Sequence, residues 1–298
     1  MALLPLPPIA RVGILAKARL HAAIPHLLEI EEWLGARGTT AVFEAGTAGL
    51  MPHSPARLVA TKLSLARDVD MVLVLGGDGT LLGMADCIGE AGSGIPILGV
   101  NFGSLGFLTE VTLPELYRSL DAALSGHGHL EERLMLRSTT TREGGAYRQF
   151  VALNDAVITK AARSRMIDLS VYVGDEFVTR VKADGLIIAT PTGSTAYNLA
   201  AGGPIVQPSV DALLLTPIAP HTLTNRPIVI PGSAVVRVQP NMLDRDEVSI
   251  TFDGQEGFDL QAGDEVIVSR AEQPLRLIKP STRSYFELLR TKLKWGER

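Results

Sequence analysis

Two clusters in this chain have residue types and spacing that can do chemistry. The first is Gly76-Gly77-Asp78-Gly79-Thr80, set directly behind the unbroken apolar run Met71-Val72-Leu73-Val74-Leu75. Glycines let the backbone turn sharply and let its N–H groups approach a ligand closely. A helix start at Thr80-Leu81-Leu82 would add free N–H groups that favour an anion. A carboxylate at the centre of such a loop repels a phosphate unless it takes a proton from a nucleophile or helps to hold a cation. That tension points to phosphoryl transfer. The competing reading is an Asp-Gly turn that only joins strand to helix.

The second cluster begins at Asp184-Gly185-Leu186-Ile187-Ile188-Ala189. This run leads into Thr190-Pro191-Thr192-Gly193-Ser194-Thr195 and then Ala196-Tyr197-Asn198-Leu199-Ala200. A buried strand followed by a loop of small polar residues and a short helix collects hydroxyls and backbone N–H groups at one mouth. Two such mouths suggest two ligands. An ordinary turn with Ser194 capping the helix is the alternative.

The elements around the first cluster alternate. Arg11 to Leu15, Ala41 to Phe43, Met71 to Leu75 and Pro96 to Val100 read as strands. Ile24, Leu27, Ile30 and Leu34 recur at helical spacing, and Leu58 to Ala66, Leu81 to Ile88 and Glu115 to Leu124 read as further helices, the last with Pro114 in its first turn. Repeated βα units imply a parallel sheet covered on both faces.

After Gly126-His127-Gly128-His129 the pattern changes to short strands with Gly and Asp turns. They are Met135 to Thr141, Gln149 to Leu153, Ala156 to Thr159, Asp168 to Val173, Glu176 to Lys182, Gly185 to Ala189, Val235 to Gln239, Val248 to Phe252, Glu265 to Val268 and Arg276 to Ile278. The expected fold is therefore an α/β N-terminal domain with a parallel sheet, residues 1–126, and a mainly antiparallel β domain, residues 127–279. A helix from Ser284 to Leu293 should complete the first domain within residues 280–298, docking through Phe286, Leu289 and Leu293.

Composition narrows the function classes. At 298 residues, 46% hydrophobic and 20% charged, the chain is an ordinary globular one with room for two domains. A net charge of −4 supplies no broad basic field for nucleic acid. Cys87 is the sole cysteine, which excludes an intrachain disulfide and a cysteine-cluster metal site and fits a reducing cytosol. The apolar start Met1 to Ala10 is interrupted by Pro5, Pro7 and Pro8 and lacks a basic leader, and no stretch approaches the roughly 20 apolar residues of a membrane span. A soluble cytoplasmic protein is expected. His127 and His129 sit in a glycine-rich boundary without a nearby third ligand and read as linker.

In order along the chain, Gly-Gly-Asp-Gly-Thr at 76 to 80, Asn154-Asp155, Thr-Pro-Thr-Gly-Ser-Thr-Ala-Tyr at 190 to 197, Pro220-His221-Thr222-Leu223 and Asp253-Gly254-Gln255 resemble the NAD kinase family, which phosphorylates NAD to NADP. The resemblance covers most of the chain from Gly76 onward. Lipid kinases and phosphofructokinases share a glycine-rich acidic loop like the first cluster, but the 190 to 197 block is not expected in them.

The resemblance implies a catalytic role for Asp78 as proton acceptor for the 2′-hydroxyl of the adenosine ribose, and a phosphate-donor loop of Gly76, Gly77, Gly79 and Thr80. It implies NAD contacts at Asp78, Gly79, Asn154, Asp155, Arg165, Lys182, Asp184, Thr195, Ala196, Tyr197, Asn198, Leu199, Ala200 and Gln255, with His221 a weaker pocket candidate. The family's acidic pair is often Asn-Glu, so Asn154-Asp155 shortens one side chain by a methylene. Lys182 and Asp184, two apart on one face of a strand, have an exposed ion pair as their competing explanation.

The resemblance further implies NAD and ATP as substrates, Mg²⁺ arriving with the ATP, and a homodimer or homotetramer. No protein ligand for the metal is assigned beyond Asp78. Catalysis is expected in the cleft between the domains. A lipid kinase of the diacylglycerol type and a non-catalytic nucleotide sensor are the alternative functions. An acyl-accommodating groove would mark the former; the intact Asp78 and glycine loop argue against the latter.

Overall fold

Continuous apolar runs in the first third of the chain become strands of one sheet in the computed structural model, which describes residues 6–103, 105–161, 166–222, 224–242, 247–279 and 284–295. Strands β1 (Arg11–Ala16), β2 (Thr40–Glu44), β3 (Leu58–Ala60), β4 (Met71–Gly76) and β5 (Ile97–Asn101) alternate with helices α1 (Ile24–Gly35), α2 (Ala45–Ala48), α3 (Lys62–Asp68) and α4 (Asp78–Ala91). β6 (Val111–Thr112), α5 (Leu116–Leu124) and β7 (His129–Arg133) follow.

The first five strands are parallel in the order β3-β2-β1-β4-β5. β4 is buried along its whole length because both faces of the sheet are covered. On one face Ile14, Leu73 and Val100 share a core with Leu27, Ile30 and Leu34 of α1 and with Leu116 and Leu120 of α5. On the other, a Cβ at Gly13 would stand 3.2 Å from Leu65 of α3, and one at Gly99 would stand 2.8 Å from Leu81 of α4. The chain moves outward from β1 to β3 and restarts at β4 on the opposite side of β1. Strand order therefore reverses between β1 and β4, and their carboxyl ends flank the switch point where open α/β sheets bind ligands.

The antiparallel part contains β8 (Leu136–Arg142), β9 (Gly145–Ala152), β10 (Asp155–Lys160), β11 (Ile167–Val173), β12 (Glu176–Ala183) and β13 (Gly185–Ala189). It continues with α6 (Tyr197–Ala200), β14 (Ala212–Ile218), β15 (Ile228–Pro231), β16 (Val236–Pro240), β17 (Val248–Phe252), β18 (Glu256–Leu260) and β19 (Glu265–Arg270). Two antiparallel sheets result, ordered β12-β11-β16-β19-β8-β9 and β15-β14-β13-β10-β17-β18. Their inner faces meet in one core, with Leu169, Val171, Val238 and Val266 from the first sheet against Ile158, Ile188, Leu215 and Ile250 from the second. β13 is buried on both faces, since its outward Ile187 and Ala189, with Val157 and Leu214, are covered by Ala201 and Val206.

β20 (Leu275–Lys279) pairs parallel to β5 and so extends the first sheet, and α7 (Tyr285–Leu293) follows it. Two compact units account for the chain: Met1–Glu132 with Leu275–Arg298, and Arg133–Pro274. Arg276 to Ile278, grouped by sequence with the β-rich part, thus belongs to the α/β sheet; a short alternating strand carries no mark of the sheet it joins.

Other elements also differ from expectation. Leu58 to Ala66 divides into β3 and α3, because the Thr61 hydroxyl accepts the Ser64 N–H at 3.1 Å and starts the helix there. α7 buries Leu288 and Leu289 and leaves Phe286 58% exposed. Strands β7, β14, β15 and β18 were not legible. In β14 the obstacle is Pro217, which reads against a strand but lies past the last residue that pairs with β15, Leu215.

Candidate active site

Within the α/β unit, β4 delivers the first glycine cluster at its carboxyl end. Gly77 caps α4 in extended backbone (φ −121°, ψ −175°), and Asp78 is the first residue of the helix, two positions before the expected start. Its carboxylate is held by a second loop, the one that follows β5. Oδ2 accepts the Phe107 N–H at 2.8 Å, while Oδ1 accepts the N–H groups of Leu108 at 3.1 Å and Thr109 at 3.0 Å and the Thr109 hydroxyl at 2.9 Å. A carboxylate offers about four lone-pair directions, two on each oxygen, so Oδ1 is fully engaged and Oδ2 retains one direction.

The loop after β5 is shaped for this clamp. A Cβ at Gly106 would lie 2.0 Å from Asp78 Oδ1, and the Asn101 amide donates to Thr109 Oγ1 at 3.2 Å while accepting from the Gly103 N–H. Asn101, Phe107, Leu108 and Thr109 were missed from sequence. The available signal was a second glycine-punctuated run behind a buried strand, Asn101-Phe102-Gly103 to Gly106-Phe107, which lacks an acid to attract notice. Among the first-cluster glycines, a Cβ at Gly76 would meet Thr80 Oγ1 at 2.7 Å and Lys17 Cβ at 3.2 Å, whereas one at Gly77 or Gly79 would meet none of the described residues within 4 Å.

In the antiparallel unit Asn154 and Asp155 stand at the start of β10. Asp253, at left-handed φ 50° beside Gly254 at φ 64° in the turn from β17 to β18, holds them in place. Its carboxylate accepts the N–H groups of Leu153 at 2.8 Å, Asn154 at 2.8 Å and Asp155 at 2.9 Å. From the other side the Thr190 N–H reaches Asn154 O at 2.9 Å and the Thr190 hydroxyl reaches Leu153 O at 2.6 Å. Gly193 packs so closely that a Cβ there would lie 2.1 Å from Asn154 O. Asp155 is 4% exposed. Burial, and then the charge of Asp253, push its carboxyl up to about 7.

The 190 to 200 block divides between structure and surface. Ser194 does not cap α6; its hydroxyl lies 2.6 Å from Pro191 O and accepts the Val206 N–H at 3.0 Å. Asn198 is fully buried, its Nδ2 donating to Ser194 O and Pro204 O and its Oδ1 accepting from Thr216 Oγ1 at 2.6 Å. Thr195, Ala196 and Leu199 are half-buried, while Tyr197 and Ala200 are exposed. Gln255 closes the Asp253-Gly254-Gln255 turn, its N–H on Phe252 O.

The Lys182–Asp184 pair does not form. The chain crosses from β12 in one sheet to β13 in the other at Asp184, so Lys182 lies 3.9 Å from Asp168 and Asp184 lies 3.4 Å from Lys160. His221 is exposed, with its N–H on Lys182 O. Arg165 and Leu223 fall outside the described residues. His127 is exposed, its Nδ1 3.1 Å from Ser125 Oγ.

These two mouths lie in regions that match two known domains, residues 12–128 the ATP-NAD kinase N-terminal domain and residues 153–280 the ATP-NAD kinase C-terminal domain. The chain belongs to the NAD kinase family. The NAD kinase of Geobacter sulfurreducens is 49% identical over 295 residues, spanning 97% of this chain and 99% of its own. That of Geotalea daltonii is 46% identical over 288 residues, with 97% and 99% covered. Among solved structures, yeast NADH kinase complexed with NADH is similar at TM-score 0.86 and 25% identity, over 98% of this chain and 89% of that one. The Archaeoglobus fulgidus NAD kinase in complex with ATP gives TM-score 0.74 at 25% identity, over 96% and 100%. The chain is accordingly an enzyme, an NAD kinase phosphotransferase.

Proposed function

We propose that this kinase transfers the terminal phosphate of ATP to the 2′-hydroxyl of the adenosine ribose of NAD, with Asp78 as proton acceptor. The observation that carries the assignment is the lone-pair direction left on Asp78 Oδ2 after the Phe107, Leu108 and Thr109 donors are counted. Those donors orient a carboxylate that still has one direction in which to accept a hydroxyl proton. In the step itself the bond from the 2′-oxygen to the γ-phosphorus forms while the bond from that phosphorus to the β,γ-bridging oxygen breaks. ADP leaves, and the hydroxyl proton passes to Asp78. A weak base suffices because proton loss comes late in a loose transition state.

Gly76, Gly77, Gly79 and Thr80 form the donor loop, in which the open space at Gly77 and Gly79 favours a phosphate over a side chain. Asn154, Asp155, Thr195, Ala196, Tyr197, Leu199, Ala200 and Gln255 take NAD, joined by Arg165, Lys182 and Asp184. Asn198 contributes through the fold of its segment, since protein partners occupy its amide.

The described residues include no group of three or more His, Cys, Asp or Glu side chains arranged to cage a metal. This donor set fits a Mg²⁺ held chiefly by phosphates and water, with the Thr80 hydroxyl as a hard oxygen at hand while the remaining direction of Asp78 Oδ2 is kept for the hydroxyl proton. When bound, the ion neutralises charge on the transferring phosphate. No helix among the described residues is long and apolar enough to cross a membrane. The reading includes a cytoplasmic enzyme that works as a homodimer or homotetramer.

A coupled assay of NADP formation from NAD, ATP and Mg²⁺ tests the reading, run beside NADH and polyphosphate and with diacylglycerol as acceptor. Product from diacylglycerol but not from NAD would overturn it.

A further inference from the structure

The turn after β1 forms the other wall of the switch point. Its backbone is fixed on both sides. The Ala16 N–H donates to Thr47 Oγ1 at 2.8 Å, and the Lys17 N–H donates to Leu75 O on β4 at 2.8 Å. The Leu20 N–H closes the turn on Lys17 O at 3.1 Å, with Arg19 at left-handed φ 60°. Lys17 Cβ is thereby held 3.2 Å from the position a Cβ would occupy at Gly76, the first glycine of the donor loop. The Lys17 side chain is exposed, and among the described residues it has no carboxylate partner. Other cations of this unit are spent on carboxylates: Arg57 on Glu31, and Lys279 on Glu110 and Glu131.

Charge makes the position consequential. A nucleoside triphosphate brings several negative charges to a mouth that already holds the Asp78 carboxylate, and the N-terminus of α4 supplies only about half a positive charge. A mobile ammonium on a fixed backbone, bordering the loop, is the type of point charge that phosphate sites use.

We propose that Lys17 is the cation of the donor site, its ammonium meeting the terminal phosphates of ATP at the crevice between the carboxyl ends of β1 and β4. This rests on the reading of Gly76 to Thr80 as the donor loop. During transfer the same charge stabilises the phosphate oxygens as ADP departs, without gaining or losing a proton.

Steady-state kinetics with ATP and NAD varied separately decide the matter, using Lys17→Ala, Lys17→Arg and the control Arg67→Ala. Arg67 lies in the last turn of α3, which leads back to the amino end of β4, so the control removes one charge at the opposite end of the sheet. Lys17→Ala should raise KM for ATP by roughly 10- to 100-fold and lower kcat, leave KM for NAD within about twofold, and weaken the salt dependence of KM for ATP. Lys17→Arg should restore part of the loss, and Arg67→Ala should change neither constant. Native KM for ATP and kcat in Lys17→Ala overturn the proposal while leaving the kinase reading intact. An equal loss toward both substrates together with a lowered Tm overturns it in favour of a structural lysine. A wild-type protein that makes no NADP from ATP and NAD overturns the kinase reading and this proposal with it.

Discussion

Asp78 and Asp253 solve the same local problem in two units of the molecule. Each carboxylate holds three consecutive backbone N–H groups, those of residues 107 to 109 and of residues 153 to 155. Their surroundings then diverge. Asp78 opens the 14-residue helix α4 beside two glycines whose Cβ positions face open space. Asp253 sits in a three-residue turn, and the segment it holds is wedged against Gly193, where no Cβ fits. Clamping loops is therefore common to both acids and cannot distinguish them. Gly254 beside Asp253 also faces open space, but its φ of 64° already requires a glycine; what distinguishes the first mouth is that neither packing nor a left-handed φ accounts for Gly77 and Gly79.

The largest effect should come from Asp78→Asn. The amide keeps one oxygen for the Leu108 and Thr109 donors and loses the ability to accept a hydroxyl proton. NADP formation should fall by about 10²- to 10⁴-fold while cooperative unfolding persists. If Asp78 were a clamp of the Asp253 kind and nothing more, turnover would instead follow the fraction of folded protein, and near-native product formation by Asp78→Asn would break the comparison.

Gly193→Ala tests the opposite mouth. A methyl group 2.1 Å from Asn154 O cannot be relieved by a rotamer change, because both atoms belong to backbone tied down by Thr190 and Asp253. Urea unfolding should show a loss of about 3 kcal/mol or more. A stable Gly193→Ala protein would mean that this loop is as open as the first.

Asp155, in the segment that Asp253 holds, sets a pH dependence. Asp155 is nearly inaccessible and stands near Asp253, and its carboxyl is pushed up from 3.8 to about 7. Between roughly pH 4 and pH 7 the folded state holds a proton that the unfolded chain has released, so stability falls as pH rises through that window and levels off above it. The change is on the order of a few kcal/mol. Asp155→Asn should abolish this slope and be the more stable protein at pH 8. If the ionised carboxylate accepts hydrogen bonds from NAD, KM for NAD should fall as pH rises toward 7 in the wild type, by at most about tenfold per pH unit, and stay flat in the variant. A pH-independent KM in the wild type would remove Asp155 from the NAD contacts.

What the sequence disclosed, and what it hid, follows from the range of the interactions involved. The parallel sheet was legible because β4 is a continuous apolar run ending in glycines, and β13 because both its faces are covered. The 190 to 197 block was legible as a loop and short helix behind a buried strand from its density of small polar residues. Its division of labour was not: Asn198 faces inward because Thr216 and Pro204, distant in sequence or across a turn, take up its amide. The clamp on Asp78 was hidden for the same reason, since its donors lie 29 to 31 residues away and carry no acid or base of their own. Asp253-Gly254-Gln255 stood out only through the family resemblance, and nothing local shows that the Asp253 carboxylate organises residues 100 positions earlier.

The smallest expected change in stability sharpens the comparison most. Gly79 is the second residue of α4, has no left-handed φ, and a Cβ there would meet none of the described residues within 4 Å. Alanine is favoured over glycine within a helix by about 0.5–1 kcal/mol, so Gly79→Ala should raise the urea midpoint slightly or leave it unchanged. The same methyl would project into the space kept beside Asp78, where a donor phosphate must approach the backbone closely. Activity with saturating NAD should drop by roughly tenfold, chiefly through KM for ATP. Gain of stability with loss of activity at one glycine is the signature of space reserved for a ligand. Gly79→Ala with native activity would reduce the first mouth to a turn, and the difference between the two clamps would then rest on Asp78 alone.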